Sequence, residues 1–307
     1  MSTAPLFEVT LAHPEPSLLG ESPLWDAAAG CLYHVDIPGK ELRRLDPASG
    51  ALARWPLPDE PGCIALIEGD PTGLLVAGRA GLARFDTASG ALTPLAPPPF
   101  DPARQRFNDG KPDAAGRFWV GTIDDARAPD AALYRFDANG VTRVADGITT
   151  SNGLAWSPDG RRLYWTDTKA HEIYALDFDA RDGSVGPRRR LAAFEPRAAG
   201  APLETYGGRP DGAAVDVEGC YWVALFEGQR LLRLAPDGSV RRELRLPVRC
   251  PTMPTFGGPD LRTLFVTTAR NGRPSEELDA QPWAGCVLRI EVDVPGLPAA
   301  AARLPFG

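Results

Sequence analysis

Histidine is scarce in this chain, with only His13, His34 and His171. A His-rich zinc centre and serine–histidine catalysis are therefore both poorly supplied, and the three read as ordinary fold residues. No G-x-S-x-G elbow occurs, nor a glycine-rich phosphate loop of Walker or Rossmann type. No apolar run is long enough to span a bilayer. Met1-Ser2-Thr3-Ala4-Pro5 lacks a basic stretch followed by an apolar core, so no secretory signal is expected. Cysteines are few and odd in number (Cys31, Cys63, Cys220, Cys250 and Cys286), and no C-x-x-C pair occurs. That speaks against a disulfide framework and for a reducing, cytoplasmic setting. Cys31 and Cys220 each follow Gly at the entry to a strand and read as small core residues. Positive charge is neither abundant nor striped: the net charge is −7, and only Arg188-Arg189-Arg190 clusters. Nucleic acid and anionic membrane are thereby disfavoured as partners.

Turn residues, by contrast, are abundant, with 32 Gly and 32 Pro among 307 residues. They punctuate a repeat. Aromatic- or aliphatic-rich strands begin at Leu32, Leu74, Phe118, Leu163, Tyr221 and Leu264, with spacings of 42, 44, 45, 58 and 43. Each follows a Gly- or Pro-containing turn such as DAAG, SPDG or DVEG, and most are followed by a further strand such as ELRRLD or ALYRFD. Units of roughly 40–45 residues built from several short strands mark a β-propeller, in which radial packing covers the sheet face each unit would leave bare. The reading is an all-β, six-bladed β-propeller occupying residues 1–307 as one domain, with residues 1–6 a loose tail. Phe7-Glu8-Val9-Thr10-Leu11 alternates as a strand and is expected to close the ring by pairing with 286–292 in blade six.

Ten or eleven residues before each second strand stand Glu21, Cys63, Asn108, Asn152, Asp211 and Met253. Equivalent positions on innermost strands surround one channel, so these six should ring the axis. Glu21, Asn108, Asn152 and Asp211 offer hard oxygen donors, the composition of a divalent-cation site. The alternative is that they hold channel water. Gly or Pro stands close behind each of the four, so backbone bends would aim them inward. The thiol of Cys63 suits a hard cation poorly and is expected to pack. Arg106 stands two residues before Asn108 and projects from the same side of an extended strand. It either holds the oxygens of a hydroxylated substrate or pairs with Asp101 or Asp109. The loop 123–130 and the inserts at 195–210 and 270–278 should lie near the rim, the first insert beside the channel mouth because it ends at Asp211.

The motifs Leu19-Gly20-Glu21-Ser22-Pro23-Leu24-Trp25, Arg106-Phe107-Asn108-Asp109-Gly110-Lys111, Ser151-Asn152-Gly153-Leu154-Ala155, Arg209-Pro210-Asp211-Gly212 and Phe256-Gly257-Gly258-Pro259-Asp260, taken in this order, resemble the regucalcin/gluconolactonase family. The resemblance runs from about Gly20 to Gly285. It implies a six-bladed propeller with a central metal site and hydrolysis of a sugar lactone, with Glu21, Asn152 and Asp211 as metal ligands and Arg106 and Asn108 holding the substrate. Relatives place an acidic residue that touches sugar hydroxyls shortly after the third-blade strand. Ala126 stands there by simple counting, with Asp124 and Asp125 near, and Asp124 is the acid taken for substrate binding. The expected reaction opens an aldonolactone to its aldonic acid. The cation (Ca²⁺ first, with Zn²⁺, Mn²⁺, Mg²⁺ or Fe²⁺ as alternatives) acts as Lewis acid on the carbonyl, and Asp211 as general base. Hydroxide activated by the cation, with Asp211 only orienting it, is the rival nucleophile. Other readings are a non-enzymatic calcium-binding propeller, an interaction scaffold, and a metal-dependent esterase or organophosphate hydrolase.

Overall fold

The computed structural model describes residues 7–304, so the tail expected at residues 1–6 lies outside the described residues. Six antiparallel sheets follow one another along the chain. Their first strands are Gly20–Asp26, Pro61–Ile67, Gln105–Pro112, Ser151–Trp156, Arg209–Val215 and Pro251–Gly257. Each first strand touches the first strands of the sheets before and after it, and the sixth touches the first, so they form a closed ring around an axis. The six repeat positions read from the sequence all fall in the second strands of these sheets.

Why the sheets pack this way is visible in the core. Six hydrophobic clusters lie between consecutive blades, one at each interface. Trp119 of blade three, for example, packs with Leu154, Leu163 and Trp165 of blade four. Strand alternation gives each sheet two faces, and its neighbours bury both. Trp119, Trp165 and Trp222 are fully buried, each contributing roughly 3 kcal/mol of apolar burial. Their indole N–H groups donate to Asp113 at 2.9 Å, to Ser151 at 2.7 Å and to Asp216 at 2.8 Å. All five cysteines are buried and free, and Cys63 packs in the cluster between blades two and three, as expected. No helix among the described residues is long and apolar enough to cross a membrane.

Both ends of the chain fasten the ring. Val9–His13 pairs antiparallel with Val287–Glu291 and forms the outer strand of blade six, which is the closure expected from the sequence. The other fastening was not foreseen. After blade six the chain crosses one end of the channel, where Leu297 N–H donates to Val215 O at 3.3 Å, and Ala301–Ala302 pairs in parallel with the inner strand of blade two. Residues 297–300 thereby cover an apolar cavity of 320 Å³ lined also by Ile64, Met253 and Phe256. Ala302 is 1% exposed in the core between blades two and three. Ala302→Asp would bury an unpaired carboxylate there and is expected to lower stability by about 3 kcal/mol or more. Chemical denaturation measures this, and parent-like stability would mean that this strand is not docked.

Candidate active site

Backbone irregularity places the site. In every blade the ladder between first and second strands shifts register at or beside the ring position: at Glu21/Leu24, Pro61/Cys63, Phe107/Gly110, Asn152/Ala155, Pro210/Ala213 and Pro251/Met253. Such bulges re-aim side chains that a regular pleat would send into the blade interfaces. Gly153, just after Asn152, has φ +63°, and a β-carbon there would run into the Tyr221 hydroxyl and Thr166. The bend at Asn152 therefore requires glycine.

Four of the six ring residues, Glu21, Asn108, Asn152 and Asp211, line a single cavity of 270 Å³ at the end of the channel opposite the C-terminal crossing. The other two do not: Met253 faces the apolar cavity, and Cys63 is packed away. Arg106 lines the same cavity as the four. The polar groups are wired together. Arg106 Nη1 donates to Asn108 Oδ1 at 2.7 Å, and Asn108 Nδ2 donates to Asn152 Oδ1 at 2.8 Å. Asn152 Nδ2 in turn donates to Thr168 Oγ1 at 2.8 Å and to Asp211 Oδ1 at 2.6 Å. Arg106 pairs with neither Asp101 nor Asp109; its other contact is the Phe107 carbonyl at 2.9 Å.

Charge at the floor is uncompensated. Glu21 and Asp211 are 9% and 6% exposed, and neither forms an ion pair among the described residues. Burial pushes the Glu21 carboxyl well above its ordinary range, and the charges of Asp211 and Asp109 push it further. Burial likewise pushes Asp211 up to about 7, with Asp109 adding to the rise while Arg209 and the Asn152 N–H oppose it. Asp109 stands behind the cavity wall: its Oδ2 accepts the Leu154 N–H at 2.9 Å, and its buried Oδ1 has no partner. No three His, Cys, Asp or Glu side chains come together as a metal cluster among the described residues. The donor set here mixes carboxylates with amides. Two adjacent buried carboxylates that resist ionisation, flanked by amide oxygens, fit a hard divalent cation by charge and by ligand type.

The structure does not bring Asp124 into the cavity. Its side chain is 0% exposed, and its Oδ1 accepts the N–H groups of Ala126 at 2.9 Å and Ala128 at 3.3 Å. That carboxylate closes the turn after the second strand of blade three, an internal task that withdraws it from solvent. The loop it shapes does reach the rim, as expected of 123–130, through Ile123 and Arg127. Of the insert at 195–210 only Arg209 lines the cavity, while Tyr206 anchors the loop by a 2.6 Å bond to His171 Nε2. The later insert instead forms the short helix Ser275–Ala280, and Arg273 before it bonds Glu227 and Glu277 away from the cavity. His171 has the structural task expected of it, its ring nitrogens bonding the Lys169 carbonyl and the Tyr206 hydroxyl, and it also lines the cavity beside Thr168 and Lys169. Sequence reasoning missed His171, Thr168 and Lys169 as wall residues, since none of them lies in the ring register, while Arg127 and Arg209 come from the loop and the insert expected near the rim.

Comparison with known proteins agrees with this fold. Residues 19–270 match the model of the SMP-30/gluconolactonase/LRE-like region. A 6-deoxy-6-sulfogluconolactonase of Pseudomonas putida is 45% identical over 284 residues, covering 92% of this chain and 94% of the relative. Regucalcin of Oryctolagus cuniculus is 34% identical over 294 residues, covering 93% and 95%. Among solved structures, the calcium-binding protein regucalcin from Agrobacterium tumefaciens superposes with a TM-score of 0.90 at 30% identity, covering 99% of this chain and all of that one. The ring of six blades, the acid–amide floor and these relationships lead to one conclusion: the chain belongs to the SMP-30/gluconolactonase/LRE-like family.

Proposed function

We propose that this protein is a metal-dependent lactonase that opens a sugar lactone to its aldonic acid. The observation that carries the reading is the buried Asp211 joined through Asn152 and Asn108 to the Arg106 guanidinium, with the buried Glu21 carboxylate lining the same open cavity. Glu21, Asn152 and Asp211 would hold the cation, and an all-oxygen set suits a hard ion such as Ca²⁺. When bound, the ion supplies Lewis acidity to the lactone carbonyl and compensates the paired carboxylates.

The chain's own residues do the rest. Asp211, held by the Asn152 amide, takes a proton from the attacking water. Its position at the cavity floor, oriented by the Asn152 amide beside the proposed cation ligands, suits that role. Arg106 and Asn108 orient substrate oxygens; their mutual hydrogen bond presents a guanidinium face and an amide as one surface. The name of the Pseudomonas putida relative brings a six-carbon lactone with an anionic substituent into the candidate class. A second reading is calcium binding without turnover, favoured by the description of the Agrobacterium tumefaciens regucalcin as a calcium-binding protein. It leaves Arg106 and Asn108 without a task.

The deciding experiment follows acid release from pentono- and hexonolactones with a pH indicator. Chelator-stripped protein is supplied with single metals, and spontaneous hydrolysis is subtracted. Metal-dependent turnover on at least one lactone is expected. Metal binding with no turnover on any lactone would favour the calcium-binding reading.

A further inference from the structure

Four cationic side chains line the cavity above the acidic floor: Arg106, Arg127, Lys169 and Arg209. Two are committed. Arg209 pairs with Glu227 at 2.6 Å and lies over the Phe226 ring at 4.8 Å, and Arg106 is bonded to Asn108. Arg127 and Lys169 are exposed and carry no ion pair among the described residues. The Arg127 guanidinium has only the carbonyl of Asp124, at 3.2 Å.

These two cations are held on fixed supports. The Arg127 loop is shaped by the Asp124 carboxylate, and the Arg127 N–H donates to the Asp124 carbonyl at 2.9 Å. The Lys169 turn is shaped in the same way by Asp167, whose Oδ1 accepts the Lys169 N–H at 3.2 Å. One residue ties the two loops together: Thr150 forms a β-bridge with Ile123, and its carbonyl accepts the Thr168 N–H at 3.1 Å. Two uncompensated cations from adjacent blades thus share the rim of a cavity whose floor is two carboxylates. A neutral lactone can offer them hydroxyl oxygens but no compensating charge. A lactone with an anion far from its carbonyl would match both ends of the cavity at once, because the rim attracts the anion while the carbonyl reaches the floor.

We propose that Arg127 and Lys169 form a specificity subsite for a tetrahedral oxyanion, a sulfonate or a phosphate, carried on the lactone carbon furthest from the reacting carbonyl. The proposal rests on the lactonase reading above and names the substrate class within it. Asp124 then serves the site at one remove, as the positioning residue of the Arg127 loop.

The test compares kcat/KM for glucono-1,5-lactone with that for its 6-deoxy-6-sulfo and 6-phospho counterparts, using metal-loaded protein. The wild type is expected to prefer at least one anionic lactone, and which one identifies the oxyanion. In the double variant Arg127→Gln/Lys169→Gln the ratio of anionic to neutral kcat/KM should fall about 10- to 100-fold, mainly through KM. Lys169→Arg should keep most of the ratio, Arg181→Gln at an unrelated exposed turn should leave it unchanged, and added salt should erode it. A wild type without preference, or a double variant whose ratio stays within about twofold of wild type (well under one charged hydrogen bond), overturns the proposal. Should no lactone be opened at all, the lactonase reading fails. Calorimetry with the stable acids then decides the subsite: tighter binding of 6-sulfo- or 6-phosphogluconate than of gluconate, lost in the double variant, supports it, and equal binding overturns it.

Discussion

Asp211→Ala should reduce lactone hydrolysis by about 10³-fold or more and weaken divalent-cation binding in the same protein. The expectation follows from where the residue stands. Its carboxylate faces the cavity, is 6% exposed, and is gripped at 2.6 Å by the Asn152 amide that also contacts Asn108 and Thr168. Removing it takes away the proposed base and one of two anionic cation ligands together. Asp211→Asn separates chemistry from architecture. It keeps the shape but cannot take a proton or bring a charge, so activity should again be lost. Without metal, the Asn variant should melt no lower than the parent, because it relieves the repulsion with Glu21 and Asp109. Initial rates, a chelator competition and a melting curve on each variant make the check. Near-normal turnover in Asp211→Asn would sink the assignment of Asp211 as base.

The metal-free protein should lose stability as pH rises from about 4 to about 7, by roughly 2–4 kcal/mol in all. The sign comes from the direction of the shifts. Burial, reinforced by neighbouring acids, raises Asp211 to about 7 and Glu21 well above its ordinary range. Across that window the folded protein holds protons that the unfolded chain has released, so raising the pH favours unfolding. The two carboxyls lie close enough to titrate as a pair rather than singly. A divalent cation replaces the protons as the compensating charge. It should flatten this dependence and add stability of about 2.7 kcal/mol at a hundredfold excess over its dissociation constant. Melting curves from pH 5 to 8, in chelator and with each candidate ion, test both statements. A chelated protein whose melting temperature ignores pH, or one that no dication stabilises, would mean that the Glu21–Asp211 pair is not a cation site.

Much of this was legible without coordinates. The recurring second strands at Leu32, Leu74, Phe118, Leu163, Tyr221 and Leu264 revealed the blades because hydrophobic alternation and turn chemistry are local properties. Counting back by 10 or 11 residues from those strands found the inner-strand ring, since equivalent offsets in a repeat occupy equivalent places. The same counting could not divide the ring. Glu21, Asn108, Asn152 and Asp211 reach the polar cavity while Met253 faces the opposite one, and the difference lies in how each bulge turns the strand. Asp124 shows a related limit. The resemblance to relatives with an acid near this place suggested a substrate contact, yet the Asp124 carboxylate is used to close its own turn.

What the amino-acid order determined by itself, then, is the number of blades, the existence of an N-terminal closing strand (read at 7–11, formed at Val9–His13) and the acid–amide residues of the floor. Each rests on short-range pattern repeated along the chain. Tertiary structure alone decided which end of the channel each side chain faces, that residues 297–302 cover the other end, and that Lys169 and His171 join the Arg127 loop in lining the polar cavity. Those are relations between blades: Arg127 and Lys169 are 42 positions apart and line one cavity, their loops tied by Thr150, which bridges Ile123 and bonds Thr168. No local preference of either loop encodes that arrangement; it exists once the packed interfaces have set the blades at fixed angles around the axis.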